Sequence, residues 1–178
     1  MKIFRRTFGH QAKSTMIAFW TVLVLTAITF PSGVFGAPAH EGAATFKDVE
    51  ANEWILSEVR SAGKTIHMDR QKLEADNLGG VYTLSFRKDQ ISGESRLSGM
   101  GAPNRYFAPY TTGSNRSLRI GLIGSTMMMA FREPDGLKEG EFFSLLSKVI
   151  RWDLREGKLE LYGSDSGGVE TALIFARR

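Results

Sequence analysis

Residues 87–130 read RKDQISGESRLSGMGAPNRYFAPYTTGSNRSLRIGLIGSTMMMA, and this stretch decides the fold of the chain. It contains three pieces in order: SGESRLSG at 92–99, PNRYFAPY at 103–110 and STMMMA at 125–130. Glycine and proline crowd the bend before the second piece, and glycine permits positive φ, so a tight turn is predicted there. Aromatic or apolar residues alternate with others after that turn, which is typical of strands. The stretch therefore predicts β-strands joined by short turns.

Two of these strands predict a hairpin with a candidate binding face at its open end. Strands Arg105–Tyr110 and Leu118–Ile123 are separated by a loop at Gly113. Antiparallel pairing brings the start of the first strand beside the end of the second. A patch with flexible methionines, an aromatic and a cation suits an adaptable partner or a lipid headgroup with its tail. The residues expected to meet there are Asn104, Arg105, Tyr106, Thr126, Met127 and Met128.

A structural role for the same residues stays open at this point. Asn104 is typical of a turn, because its side chain hydrogen-bonds nearby backbone and it tolerates left-handed conformations. Tyr106 is typical of a core or rim aromatic, and methionines fill irregular gaps in a core as readily as they form a binding surface. The two interpretations differ in whether these side chains are buried.

One convincing helix is predicted at Glu139–Ile150. Phe142, Leu145, Leu146 and Val149 follow helical spacing and are expected to be buried. A shorter piece at 69–76 is expected to form one or two helical turns. Together with about eight or nine predicted strands, the helix indicates an α+β fold. We expect a curved antiparallel sheet or cracked β-barrel packed on one main helix.

Alternation also predicts which side chains of a strand share a face. In the first strand it places Trp54, Leu56 and Glu58 on one face. In the second strand of the hairpin it places Leu122 on the same face as Leu118 and Ile120.

The order of the pieces resembles the META domain family, to which the HslJ-like heat-shock proteins belong. Members carry a phenylalanine strand, an SG turn, a Gly-Cys-Asn turn with an aromatic after it, a Thr-Met segment and a helix. The match runs from about Trp54 to Phe175. Here the turn reads Ala102-Pro103-Asn104 and the Thr-Met segment ends in Met129-Ala130, without the family's cysteines. If those cysteines pair or react in relatives, neither function is present in this chain. The resemblance implies an HslJ/MxiM-like fold.

The resemblance also implies two alternative functions. The first is a non-catalytic exported protein that binds an envelope or protein partner in a stress-related role. The second is a carrier of a lipid or small apolar ligand, because META domains are similar to secretin pilots of the MxiM type, in which a cracked barrel accommodates a lipid tail. Small barrels are often filled by their own side chains. A continuous apolar cavity between the helix and the sheet would favour the carrier.

Composition argues against several other classes. The net charge of +4 comes from the N-terminus: four of the 23 basic residues lie among the first 36 residues, which hold no acid, and the other 19 balance 19 acidic residues. A balanced domain has no broad electrostatic reason to bind nucleic acid. The chain has no cysteine, which excludes disulfides, thiolate metal sites and a cysteine nucleophile. We expect no cofactor, no metal site and no catalytic residue.

One motif resembles a nucleophile loop but lacks the rest of the machinery. Residues 165–168 read DSGG, as in trypsin-like proteases, whose serine needs a histidine base and an orienting carboxylate. The three histidines are His10 in the leader, His40 beside the expected cleavage point, and an isolated His67. A glycine-rich hairpin loop is therefore the expected role, and the protein is predicted not to be an enzyme.

The first 39 residues are predicted to be a signal peptide. A basic start precedes an uncharged, mostly apolar run of 15 residues, Met16–Phe30. A signal peptide's apolar region has about 7–15 residues, whereas a spanning helix needs about 20. Ala37-Pro38-Ala39 fits a cleavage site, with Gly36 as the alternative. We expect residues 40–52 to form a tether or an irregular turn, residues 53–178 to form the domain, and the protein to be periplasmic or secreted.

An uncleaved leader is the open alternative, and it would give the protein its only membrane contact. The four basic residues would hold that end in the cytoplasm, with the domain outside. We predict that the mature protein begins near His40. N-terminal sequencing of the protein from its host tests this, and an intact Met1 in the membrane fraction would contradict cleavage.

Overall fold

The computed structural model describes residues 44–89, 91–129 and 132–178, so the predicted signal peptide lies outside the described residues. Within that part the helices are α1 Phe46–Glu50, α2 Arg70–Ala75 and α3 Glu139–Ser147, with a 3₁₀ turn at Ser114–Arg116. The strands are β1 Glu53–Ser61, β2 Lys64–His67, β3 Thr83–Lys88, β4 Ser95–Met100, β5 Arg105–Thr112, β6 Leu118–Ile120, β7 Gly124–Ser125, β8 Arg151–Arg155, β9 Lys158–Ser164 and β10 Glu170–Arg177. Of the helices in this part of the chain, none has the length and apolar character needed to cross a membrane.

The strands form an antiparallel sheet that almost closes on itself. Eight of them follow the order β6-β5-β4-β3-β1-β10-β9-β8, while β2 pairs with β1 and β7 pairs with β5. The two ends of this path meet at a single antiparallel bridge between Ser117 and Arg151. Beside it the Leu118 N–H donates to the Ile150 carbonyl at 3.0 Å. The predicted fold, a curved sheet or cracked barrel with one main helix, is confirmed.

Helix α3 contributes its apolar stripe to the core. Phe142, Leu145, Leu146 and Val149 are all buried, as the helical spacing predicted. The helix ends at Ser147, earlier than the predicted end at Ile150. The reason is tertiary: the Ile150 N–H donates to the Tyr162 carbonyl at 2.8 Å, a sheet hydrogen bond that starts β8.

A bulge in β1 changes which side chains face the core. The register against β10 shifts between Leu56 and Glu58, so one extra residue, Ser57, enters the strand. The Ser57 hydroxyl donates to the Ile174 carbonyl at 2.9 Å. Trp54 and Leu56 are buried as predicted, but after the bulge Val59 is buried in place of Glu58. The prediction that Glu58 shares the face of Leu56 was wrong because parity reverses at the extra residue.

A second irregularity explains why Leu122 is exposed. Between the pairs Tyr110↔Ile120 and Phe107↔Gly124, β5 advances three residues and its partner four. Pro109 lies in this interval and has no N–H to donate to a ladder. The Gly121 N–H still donates to the Pro109 carbonyl at 2.8 Å. The prediction that Leu122 shares a face with Leu118 and Ile120 was therefore wrong.

The described part of the predicted tether belongs to the folded domain. The Phe46 ring of α1 lies 5.1 Å from Phe86 and 5.2 Å from Trp152, measured between ring centroids. Val49 is fully buried, and its carbonyl accepts a hydrogen bond from Trp54 Nε1 at 2.9 Å. The tether prediction was wrong for residues 44–52, because two apolar residues in a short polar stretch give no readable periodicity.

The burial of α3 predicts a large cost for one substitution. We expect Leu146→Ala to lower the free energy of unfolding by about 2–5 kcal/mol, since it leaves a cavity in the core. Leu122→Ala is the matched control: the same atoms are lost from an exposed side chain, so a change below about 0.5 kcal/mol is expected. Denaturant unfolding of the full chain measures both. Equal effects of the two substitutions would contradict this placement of α3.

Candidate functional site

The turn before β5 and the segment after β7 lie side by side. Tyr106 pairs with Ser125 in the sheet. The Thr126 N–H donates to the Arg105 carbonyl at 3.0 Å, and the Arg105 N–H donates to Thr126 Oγ1 at 3.2 Å. The proximity expected from hairpin geometry is therefore observed for Asn104, Arg105, Thr126 and Met128, which share hydrogen bonds.

Asn104 is the centre of this hydrogen-bond network. Its Oδ1 accepts from Thr126 Oγ1 at 2.9 Å and from the Met128 N–H at 2.6 Å. Its Nδ2 donates to the Met128 carbonyl at 3.2 Å and to Glu139 Oε2 at 2.6 Å. The side-chain amide thus binds the Met128 main chain as a neighbouring strand would. Asn104 is buried, so these bonds replace its contacts with water.

Glu139 joins the network from the first turn of α3. Its Oε1 accepts from the Ala102 N–H at 2.5 Å and the Asn104 N–H at 2.7 Å. A Cβ at Gly101 would collide with the same oxygen, so the approach requires glycine. Sequence reasoning missed this role, because Glu139 entered it only as the first residue of the predicted helix. The partners lie 35 residues apart, and nothing in local spacing connects them.

The methionine segment exposes its side chains although its main chain is held. Met127 is 100% exposed, Met128 60% and Met129 86%. Leu122 is 91% exposed and Phe107 52%, both near β7. We call these five residues the apolar edge. The alternative in which the methionines fill the core is wrong, because the bonds from Asn104 position the backbone while the thioethers point to solvent.

Tyr106 lies on the other side of β5, in the core. Its hydroxyl donates to the Thr83 carbonyl at 2.7 Å, and its ring lies 5.2 Å from Phe143 and 5.8 Å from Phe142. Burial raises the pKa of the Tyr106 hydroxyl well above its ordinary value, so it remains a donor at neutral pH. The core alternative therefore applies to Tyr106, and its side chain does not belong to the candidate binding face.

Side chains fill the space between α3 and the sheet. The Tyr82 ring packs 4.9 Å from Phe142, and its hydroxyl donates to the Leu137 carbonyl at 2.6 Å. Phe86 and Tyr110 meet edge to face at 5.1 Å. The largest fully buried side chains are Trp54, Tyr82, Tyr106, Phe86, Phe142, Phe175, Leu56, Leu84, Leu97, Leu118, Leu137 and Leu146. Aromatic and aliphatic groups thus occupy the region in which a carrier would hold its ligand.

The chemistry-bearing motifs have structural explanations. Asp165 of the DSGG loop accepts from the Gly167 N–H at 2.8 Å and the Val169 N–H at 3.0 Å, so its carboxylate shapes the turn. Among residues 44–89, 91–129 and 132–178, no group of three or more histidine or acidic side chains is placed to hold a metal ion.

Comparison with known proteins places the chain in a family. The sequence model of the META domain matches residues 47–174. A comparison with curated protein sequences finds no match. An NMR structure of a protein from Burkholderia xenovorans superposes with a TM-score of 0.53 at 22% identity, covering 80% of this chain and 97% of that one. A crystal structure of a DUF4847 family protein from Bacteroides vulgatus superposes with a TM-score of 0.47 at 12% identity, covering 75% and 96%. The Burkholderia structure shows a shared fold, and the family model covers most of the sequence: this chain belongs to the META domain family.

Proposed function

We propose that this chain is a non-catalytic exported protein that binds a protein partner or another envelope component through the apolar edge. Family membership suggests a non-enzymatic protein of an exported type. The basic start and the apolar run Met16–Phe30 support export to the periplasm or beyond. The stress-related role in this proposal is based on the family resemblance.

One observation carries the proposal: a fixed backbone presents exposed apolar side chains. Asn104 binds both the N–H and the carbonyl of Met128, while Met127 and Met129 project into solvent. Large exposed apolar patches on soluble proteins commonly mark interaction sites. A surface whose backbone is already ordered loses less conformational entropy on binding. Thioether side chains then adapt to the shape of the partner.

The sheet at this position can also accept main-chain hydrogen bonds. Within the described residues, β7 pairs with β5 alone, so its other side is an edge. An extended segment of a partner protein can pair with such an edge and bury its apolar side chains against a neighbouring surface. Arg105 begins β5 beside this edge and supplies one cation. The geometry favours a partner with an extended, mostly apolar segment.

The alternative function is a carrier of a lipid or small apolar ligand. Its support is the resemblance to secretin pilots and the single main helix. The side chains that fill the space beside α3, such as Phe142 and Tyr82, favour the apolar edge as the contact surface instead. A native mass spectrum of the chain purified from its host discriminates between the two, because a carrier retains a bound apolar ligand.

We predict that a photo-crosslinking residue placed at Met127 captures a discrete protein partner in the host cell. Ile150 is the matched control position, since it is also a large apolar residue that is mostly exposed, but it lies between α3 and β8. The captured protein is identified by mass spectrometry and tested by reciprocal purification. Adducts of equal yield at both positions, or none at Met127, would contradict the proposal.

The same proposal predicts that polar substitution removes binding without unfolding the domain. Because both side chains are exposed, Met127→Ser with Met128→Ser should change the free energy of unfolding by less than about 0.5 kcal/mol each. The cross-link formed from a residue placed at Leu122 should disappear in this double variant. Loss of stability with the cross-link retained in the folded fraction would show that the methionines support the fold rather than the contact.

We further predict that Asn104→Asp destabilises the domain by about 2–4 kcal/mol at pH 7, because two amide donations are lost and a carboxylate faces Glu139. Protonation of one of the two carboxyl groups removes this repulsion, so part of the lost stability should return as the pH falls. Denaturant unfolding at pH 7 and pH 4.5 measures the change.

Two variants control for this effect. Asn115→Asp makes the same change on the exposed 3₁₀ turn and should have little effect at either pH. Asn104→Asp with Glu139→Gln exchanges the amide and the carboxylate, so it should recover part of the loss at pH 7. The free energy of unfolding of the double variant is compared with the value expected from adding the effects of the two single substitutions. If the two values agree, Asn104 and Glu139 are not coupled.

A further inference from the structure

The outer face of β1, β3, β4 and β5 carries a groove of about 490 Å³ lined by several arginines. Its size lies within the range of small-molecule sites. The basic residues are Arg87, Arg96, Arg105 and Arg178, and the acidic residue of the lining is Glu53. We call this feature the arginine groove. It concentrates positive charge on one face of a domain whose overall charge is balanced.

Strand register explains the shape of the groove. On the outer face Ser85 lies directly opposite Ser98, and these short side chains form the floor. One row along the same strands, Arg87 lies directly opposite Arg96. Directly opposed residues have Cβ atoms about 4.5–5.5 Å apart, so the two guanidinium groups can reach a common point. The groove therefore has two short serine side chains at its base and two long arginine side chains beside them.

The arginines are poorly neutralised by the protein itself. Like charges directly opposite one another destabilise a sheet. Glu53 lies 3.7 Å from both Arg87 and Arg178, and Glu94 lies 3.9 Å from Arg96. These separations exceed hydrogen-bond distances, and the side chains are more than half exposed, so the ion pairs are weak. The groove therefore retains a surplus of positive charge.

An aromatic side chain borders the same groove. Phe107 lies opposite Ser98 at the next strand, and the Arg96 guanidinium lies 5.5 Å from the centre of its ring. This cation–π contact holds Arg96 toward the groove. The exposed ring offers an apolar wall next to the basic groups. A ligand with an anionic group and an adjoining apolar part matches this arrangement.

We propose that the arginine groove binds a small phosphate-bearing ligand with at least two negative charges. Guanidinium groups bind phosphate through paired hydrogen bonds. A single phosphate presents several acceptor oxygens and up to about two charges, which suits two opposed arginines better than a single carboxylate does. Arg87 and Arg96 bind the phosphate, and the remainder of the ligand lies toward Phe107. The two arginines that bind the phosphate lie outside the apolar edge, and Phe107 is the residue that the edge shares with the groove.

Titration with inorganic pyrophosphate tests the proposal. The full chain, held in a non-ionic detergent, is titrated by calorimetry at low salt. Arg87→Gln with Arg96→Gln should weaken binding at least about tenfold, since two charge-assisted contacts are lost. Arg119→Gln is the matched control: Arg119 is exposed on β6 outside the groove lining, and binding should stay unchanged. The double variant should keep its melting temperature, because it removes a like-charge pair.

Two outcomes would overturn the proposal: no binding of pyrophosphate by the native chain, or equal binding by the double variant. A second arm identifies the source of the phosphate. Vesicles containing phosphatidic acid, whose phosphomonoester headgroup carries up to about two charges, are compared with vesicles of phosphatidylcholine alone. Both the native chain and the double variant are measured, and because the apolar run Met16–Phe30 is the same in both, a difference in binding between them is due to the arginines. A loss of binding confined to the phosphatidic acid vesicles supports a lipid headgroup, and unchanged vesicle binding with lost pyrophosphate binding supports a free phosphate compound.

Discussion

The carboxylate of Glu139 is the interaction on which this end of the domain depends. It accepts hydrogen bonds from two backbone N–H groups of the turn at 101–104 and from the side chain of Asn104. Asn104 then binds the main chain of Met128. Two side chains thereby join three separate parts of the chain, namely the turn, the methionine segment and helix α3. A buried network of this kind is stable only when every member is satisfied, so it specifies one arrangement.

The same network explains how this chain fixes the turn at 101–104 without the cysteines that the family resemblance implies. The relatives' pattern places cysteine at the turn and near the end of the Thr-Met segment, where this chain has Pro103 and Met129-Ala130. These two regions are brought together by the hydrogen bonds between Asn104 and Met128. A sulfur-based link is therefore not needed to connect them here. In this chain the side chain of Asn104 makes the connection.

Much of the fold could be predicted because periodicity reports burial on one face. The helical spacing around Leu146 and the alternation of Trp54 and Leu56 correctly identified buried positions. The two errors in strand facing, at Glu58 and at Leu122, share one cause, namely that a single extra residue reverses strand parity. The neighbouring sequence does not reveal where the extra residue lies, either at Ser57 or opposite Pro109. The candidate site was also predictable only in part. Hairpin geometry predicted the contact between the turn and Thr126, whereas the role of Glu139 depends on tertiary structure.

Strand β5 shows how one element serves both the core and the two candidate surfaces. Its inward residues Tyr106, Ala108 and Tyr110 are buried, and its outward residues Arg105 and Phe107 are exposed. Because strand side chains alternate, the core constrains only the first set. Phe107 belongs to the apolar edge and also lines the arginine groove, so the two candidate surfaces share its half-exposed ring. The outward residues of β5 can therefore be substituted to change what the surface binds without disturbing the core.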